Sequence, residues 1–117
     1  IKLTMSKIIG TEEKDGILII STEGYLNKDL ALAVMEEASK HIDNGTTNIL
    51  INLSKSNIVN SIGASIIIEL IEKLQEVNGS LSFCELPSII EKTFKIMGLT
   101  KYCDTFENQE AALEQLT

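Results

Sequence analysis

The sequence is poor in the residues that crosslink small secreted domains or bind metal ions. Its 117 residues include 2 cysteines, 1 histidine and no tryptophan. Two cysteines are too few for a disulfide framework, and the spacing of Cys84 and Cys103 matches no metal motif. The composition therefore predicts a cytoplasmic protein in a reducing compartment, with no metal and no other cofactor.

Basic residues and long apolar runs are also scarce. The chain has 10 Lys and Arg against 17 Asp and Glu, which gives a net charge of −7. Nucleic acids and anionic membranes both attract basic patches, so neither is an expected partner. No apolar run reaches the roughly 18 residues that cross a membrane. The first six residues show no signal-peptide pattern, and Met5 is a candidate native start.

Residues suited to catalysis are few and scattered. His41 falls at the edge of the first predicted helix, where a structural role is the simpler interpretation. Cys84 falls in a predicted strand as a small buried residue, whereas Cys103 falls in a loop, where it could be reactive but has no assigned base. The chain has no glycine-rich phosphate loop. We therefore expect a protein that is not an enzyme.

The residues that are present predict one globular domain over 1–117. Hydrophobic residues make up 44% of the chain and charged residues 23%, and no linker or repeat interrupts it. Strand and helix patterns alternate in the order β-β-α-β-α-β-α-(β)-α. This order predicts an α/β fold with a mixed, mainly parallel sheet of four or five strands covered by about four helices.

Local signals place the individual elements. Lys14-Asp15-Gly16 predicts the turn of a hairpin, and Asn27 and Asn108 are candidate helix N-caps. The predicted strands lie at 7–11, 16–22, 48–53, 81–86 and near 105–106, and the predicted helices at 28–43, 61–77, 87–98 and after 108. Functional residues of such sheets gather where strands end, so the predicted loop at 54–60 is the first place to look.

The second predicted helix has an apolar stripe and an opposite face. The stripe consists of Ile62, Ile66, Ile67, Leu70, Ile71, Leu74 and Val77. Ser61, Ser65, Ile68 and Glu72 share the opposite face by their spacing. Ile68 is then a large apolar residue where solvent is expected. One exposed isoleucine needs no special explanation, but a contact with a partner protein is the functional alternative.

Ser61 has two interpretations at the start of this helix. Serine is a preferred N-cap, and a capping role alone explains it. The free N–H groups and the dipole of a helix N-terminus also tolerate an anion, so a phosphoserine there is compatible with the fold. Gly63 leaves space for a close backbone approach at the same corner.

Several motifs follow one another along the chain in a distinctive order. Gly24-Tyr25-Leu26 is followed by a predicted buried strand at 49–54 that ends in Asn-Leu-Ser, and by 58–63, where Asn-Ser-Ile-Gly opens an amphipathic helix. These motifs resemble the Gly-x-Leu, Asp-Leu-Ser and Asp-Ser-x-Gly of the STAS-domain family of bacterial anti-sigma-factor antagonists, and 97–102, Phe106 and 110–113 resemble its C-terminal part. The similarity covers about 7–116, which is the expected core of a single STAS-like domain.

The resemblance implies a phospho-switchable binding module that regulates transcription. In the family, the serine that matches Ser61 is phosphorylated by an anti-sigma factor that is a serine kinase, and a serine phosphatase reverses the step. The unphosphorylated protein binds the anti-sigma factor and releases the sigma factor. The partner-binding residues would be Ser54, Lys55, Asn60, Ser61, Gly63, Ser65, Ile68 and Glu72. Ser56 and Ser65 are candidates for second phosphorylation sites.

Two residues depart from the family pattern. Asn52 and Asn60 stand where the family usually has Asp, so each loses a charge and gains a hydrogen-bond donor. These departures keep an alternative open, in which the chain is a scaffold that works without phosphorylation. Such a scaffold would self-associate weakly or bind a small ligand in another bacterial signalling complex.

Overall fold

The computed structural model describes residues 6–117, in which five strands and four α-helices alternate. The strands are β1 (Lys7–Lys14), β2 (Ile17–Leu26), β3 (Asn48–Val59), β4 (Ser80–Cys84) and β5 (Asp104–Phe106). The helices are α1 (Lys28–Asp43), α2 (Ser61–Glu76), α3 (Ser88–Met97) and α4 (Gln109–Leu116), with a 3₁₀ turn (Leu99–Lys101) after α3. The element order is the one predicted from the sequence. Met5, the candidate start, lies outside the described residues.

The strands form one mixed sheet in the order β1-β2-β3-β4-β5. β1 is antiparallel to β2, and the other neighbouring pairs are parallel. Leu18 and Ile20 pack with residues of α1, α2 and α3, whereas Ile17 and Ile19 pack with Ala112 of α4. Both faces of β2 are therefore covered, which explains its continuous apolar run. The predicted fold class is confirmed.

The predicted turns and caps are also confirmed. Asp15 and Gly16 have φ angles of 53° and 81°, as the two-residue hairpin turn requires. The Leu30 N–H donates to Asn27 Oδ1 at 3.0 Å, and the Ala111 N–H donates to Asn108 Oδ1 at 2.8 Å. These caps satisfy N–H groups that have no partner inside the helix.

The prediction of a loop at 54–60 is wrong because β3 continues to Val59. β2 also continues to Leu26, and the pairs Tyr25–Ile58 and Leu26–Val59 extend the two strands together beyond the end of β4. The register shifts twice between Ser21 and Tyr25. In this extension β2 still alternates between buried and less buried positions, whereas β3 does not, so the sequence of β3 there does not show the period of a strand.

The predicted faces of α2 need two corrections. Ile62 and Val77 were expected in the core, but they are 54% and 44% exposed. Ile68 was expected in solvent, but it is half-buried and packs against the core. The reason is that Gly63 and Ala64 are the first buried residues of α2, so its buried side is rotated from the predicted stripe. None of the helices within 6–117 is long and apolar enough to cross a membrane.

Candidate functional site

The start of α2 lies beside the paired ends of β2 and β3. The Asn60 N–H donates to the Leu26 carbonyl oxygen at 3.3 Å. The Asn60 side chain caps α2, because its Oδ1 accepts from the Gly63 N–H at 2.7 Å. Asn60, and not Ser61, is therefore the N-cap, which corrects the simpler interpretation of Ser61.

Ser61 is the first residue of α2 and is exposed. Within residues 6–117 its hydroxyl takes part in no hydrogen bond, because Asn60 already performs the capping role. The first turn of α2 contains no acidic side chain. An exposed hydroxyl thus lies at the positive end of a helix dipole without a neighbouring carboxylate in its own turn.

Gly63 allows this corner to close. A Cβ atom at residue 63 would stand under 3.0 Å from the Leu26 carbonyl oxygen and 3.1 Å from Asn60 Oδ1. Real Cβ atoms essentially never approach a backbone oxygen so closely, so no other residue fits without a shift. The expected close backbone approach is present, and it holds α2 against the end of β2.

Three exposed apolar side chains lie near Ser61 in the sequence or in the strand register. Tyr25 is 38% exposed, Ile58 is 45% exposed and Ile62 is 54% exposed. Tyr25 and Ile58 are register partners, and Ile62 follows Ser61 on α2. We call Tyr25, Ile58, Ser61 and Ile62 the Ser61 patch. Its apolar members are not predicted by the sequence pattern, which places Ile62 in the core and Ile58 in a loop.

Ser54 and Lys55 lie inside β3 rather than at its end. Both are exposed, and Lys55 pairs in register with Glu23 of β2. Together with Tyr25 and Ile58 they line a shallow hollow in the extended strand pair. These predicted residues are therefore joined to the Ser61 patch through Tyr25 and Ile58.

Ser56 is fully buried, so it is unsuited to be a second phosphorylation site. Its Oγ lies 2.7 Å from Thr22 Oγ1, and the two hydroxyls form a buried hydrogen bond between β3 and β2. A kinase cannot reach a hydroxyl in this position without unfolding the strand pair. The expectation for Ser56 is wrong because its strand turns every third side chain inward here, as Leu53 and Val59 also show.

The remaining predicted residues follow α2 away from Ser61. Ser65 is exposed and its Oγ donates to the Ser61 carbonyl oxygen at 2.8 Å. Glu72 is also exposed. Ile68 instead lines a hollow between α2 and the end of α3, together with Met97. The predicted face is thus polar near Ser61 and partly apolar further along.

Asn52 has a structural role that depends on its amide. Its Nδ2 donates to Glu85 Oε2 at 3.1 Å and to Gln109 Oε1 at 3.0 Å, and its Oδ1 accepts from the Ser54 N–H at 3.0 Å. Glu85 Oε2 also accepts from the Gln109 N–H at 3.3 Å. An aspartate could not donate and would place a second carboxylate beside Glu85. The departure from the family's Asp therefore fits the place where β3 passes the end of β4 and the start of α4.

The groups considered for catalysis have structural surroundings. Burial raises the pKa of the Cys84 and Cys103 thiols to about 12, and Glu85 and Asp104 add smaller effects in the same direction. Cys103 is only 7% exposed, so its burial argues against the reactivity that its place in a loop had left open. His41 Nδ1 lies 2.7 Å from Glu13 Oε1, which ties α1 to the hairpin. Within 6–117, no three His, Cys, Asp or Glu side chains are placed to hold a metal ion.

Comparison with known proteins decides the family. The family model of the STAS domain matches residues 9–112. The chain belongs to the STAS-domain family. This STAS domain is 29% identical over 111 residues to BtrV of Bordetella bronchiseptica, whose name is that of an anti-sigma factor antagonist. The match covers 95% of this chain and 90% of BtrV.

Solved structures share the fold of this STAS domain at lower identity. An anti-sigma factor antagonist from Mycobacterium paratuberculosis matches with a TM-score of 0.80 and 20% identity, over 95% of this chain and 93% of that chain. The phosphorylated form of the Bacillus cell fate determinant SpoIIAA matches with a TM-score of 0.73 and 19% identity, over 92% of this chain and 98% of that chain. The resemblance to anti-sigma-factor antagonists that the motifs carried is thus confirmed.

Proposed function

We propose that this STAS domain is a cytoplasmic anti-sigma-factor antagonist, a binding protein and not an enzyme, that is switched by phosphorylation of Ser61. Its unphosphorylated form would bind an anti-sigma factor that is also a serine kinase, and a serine phosphatase would restore that form. The observation that carries the proposal is the exposed Ser61 hydroxyl, which is free of the capping role and belongs to the same corner of the fold as the exposed apolar residues of the Ser61 patch.

The start of α2 suits a phosphate group on chemical grounds. A phosphoserine carries about −1.5 to −2 charges at neutral pH. The N-terminus of α2 offers free N–H groups and the positive end of its dipole, and its first turn has no carboxylate to repel the phosphate. Asn60 keeps its cap on the Gly63 N–H in either state. Phosphorylation would therefore leave the fold intact.

The same phosphate would oppose docking at the Ser61 patch. Tyr25, Ile58 and Ile62 form the kind of apolar centre that a protein interface buries. A doubly charged group in their midst would have to lose its hydration when the partner binds, and this costs more than the contact gains. Binding to the anti-sigma factor would weaken while the protein stays folded, which is the behaviour of a switch.

Two facts about relatives support the proposal. BtrV carries the name of an anti-sigma factor antagonist, and SpoIIAA has been solved in a phosphorylated form. Asn60 does not argue against a phosphoserine, because its amide oxygen caps α2 as a carboxylate would. What Asn60 lacks is the charge with which an aspartate could help a kinase to recognise the corner.

Incubation with the cognate anti-sigma factor kinase and ATP tests the proposal. Intact-mass measurement followed by peptide mapping should show one phosphate on Ser61 in the natural sequence and none in Ser61→Ala. Ser65→Ala is the matched control, since Ser65 is the other exposed serine in the first turns of α2, and it should be modified as the natural sequence is. Phosphate on another residue, or unchanged modification of Ser61→Ala, would refute the assignment.

A further inference from the structure

A second candidate binding surface lies between α2 and the end of α3. Its apolar lining consists of Ile68, Ile71, Met97, Leu99 and Tyr102. Glu72 and Gln75 of α2 border it, and Gly98 completes the lining. We call these eight residues the α2–α3 groove. No segment within residues 6–117 covers it, and Tyr102 on its rim is 66% exposed.

We propose that the α2–α3 groove binds a basic amphipathic segment of a protein partner, which inserts apolar side chains between the helices and places Lys or Arg beside α2. The inference goes beyond the switch at Ser61 and does not require phosphorylation. It rests on the size and lining of the groove and on the charge of its border.

The size of the groove favours a side-chain anchor. Its volume is about 290 Å³, and it is partly open to solvent. Small-molecule sites usually measure about 300–1,000 Å³ and enclose most of the ligand. A hollow between two helices with an apolar floor is instead the arrangement that receives the apolar face of an amphipathic segment.

The border of the groove favours a basic partner. Glu72 lines the groove, and Glu69 and Glu76 are exposed on α2 at spacings of three and four residues from Glu72, so they form one acidic row beside the groove. No ion pair within 6–117 involves these three carboxylates. Lys73 lies beside the row but not in the groove, and its Nζ donates to Ser39 Oγ of α1 at 2.9 Å.

The α3 side of the groove carries charges of both signs. Lys101 of the 3₁₀ turn is exposed next to Tyr102, and Lys95 Nζ of α3 lies 3.5 Å from Glu91 Oε1. The whole chain has a net charge of −7. An acidic segment would be repelled at the groove, and a Lys- or Arg-rich one attracted.

An NMR titration of the full ¹⁵N-labelled chain tests the groove. The probe is a synthetic 14-residue helical peptide with Leu on one face and Lys on the other, and the control peptide carries Glu in place of Lys. We expect saturable shifts of the Gln75, Gly98 and Tyr102 amides with the Lys peptide and none with the Glu peptide. Equal binding of both peptides, or shifts without a focus at the groove, would overturn the proposal.

Single substitutions show which residues of the groove contribute to binding of the Lys peptide. Tyr102→Ala should weaken the affinity for the Lys peptide about fivefold or more, as the loss of an anchoring contact does. Glu72→Lys should also weaken it, whereas Glu36→Lys, an equal charge change at an exposed position of α1, should not. If Tyr102→Ala fails to fold, the pair of charge variants decides. Ser61→Asp should bind the Lys peptide with the affinity of the natural sequence. A negative result for phosphorylation of Ser61 and a negative result for peptide binding in the groove can therefore be told apart.

Discussion

The backbone of Leu26 leaves no room for a side chain on residue 63. Only because residue 63 is glycine can the first turn of α2 pack against the Leu26 carbonyl oxygen. This contact joins the end of β2 to the helix that carries Ser61. It therefore sets the position of the Ser61 patch as well as the stability of the corner.

Gly63→Ala should destabilise the protein. Alanine favours a helix over glycine by about 1 kcal/mol, but the new methyl group would overlap the Leu26 carbonyl, and overpacking costs about 1–3 kcal/mol or more. We expect a net loss in the free energy of unfolding from urea denaturation. Gly10→Ala is the control, because a Cβ there would lie 3.9 Å from its nearest neighbour. A Gly63→Ala protein as stable as Gly10→Ala would contradict this account.

Asn60→Ala should lower stability through the loss of the α2 cap. The Gly63 N–H would lose its acceptor at 2.7 Å, and the loss of an N-cap costs about 1 kcal/mol. Asn60→Asp should keep the cap and remain within a few tenths of a kcal/mol of the natural protein, because its carboxylate also interacts well with the helix dipole. Thermal and urea unfolding of the two variants measure the difference. If both lose the same stability, capping is not the role of Asn60.

Asn52→Asp should destabilise the protein in a pH-dependent way. The variant loses two donated hydrogen bonds and sets a carboxylate against Glu85, at a cost of about 1–3 kcal/mol near neutral pH. Like charges raise the folded-state pKa of such a pair above the unfolded values, so the deficit should shrink as the pH falls and the pair takes up a proton. Urea unfolding between pH 7 and pH 4 measures it.

Adding Glu85→Gln to Asn52→Asp provides the control for this pair. With the repulsion removed, the double variant should recover stability at neutral pH and lose the pH dependence. A deficit that is the same at every pH, with or without Glu85, would show that only hydrogen bonds were lost.

Acid should weaken the link between the hairpin and α1. Hydrogen bonds from His41 and Thr46 hold the pKa of Glu13 below its usual 4.5. A carboxyl group with a lowered folded-state pKa stabilises the fold above the unfolded pKa, and this contribution is lost as the pH falls through the folded pKa. The Glu13 carboxyl ¹³C shift should therefore titrate below 4.5, and at a higher pH in His41→Ala than in the natural protein. No change in His41→Ala would exclude His41 as the main cause.

Ile62→Ser should weaken binding to the cognate anti-sigma factor without unfolding the protein. Ile62 is 54% exposed in the Ser61 patch, so its replacement removes apolar contact area mainly from the complex. We expect calorimetry to show an affinity about fivefold or more lower than that of the natural protein. A loss of this size marks a residue that contributes substantially to an interface. Val77→Ser serves as the control, because Val77 is 44% exposed at the opposite end of the same helix. Equal affinities of the two variants would place the docking surface elsewhere.

Features that depend on near neighbours were predictable from the sequence. The turn at Asp15-Gly16 and the caps Asn27 and Asn108 act over two to four residues, and the helical period of α1 is equally local. Because strands and helices alternate along the chain, the α/β class and the mainly parallel sheet followed as well. Ser61, Ser65 and Glu72 were correctly expected to be exposed on α2.

Only the tertiary structure decided the surroundings of Ser61. The extension of β3 to Val59 depends on pairing with β2, more than thirty residues earlier in the chain, and register shifts hide its period. The rotation of α2, which exposes Ile62 and half-buries Ile68, is set by the packing of Gly63 on Leu26. Asn60 rather than Ser61 caps α2 because the corner places its side chain over the Gly63 N–H. The sequence determined that a serine begins this helix, whereas contacts between distant segments left its hydroxyl free and exposed the apolar side chains of Tyr25, Ile58 and Ile62.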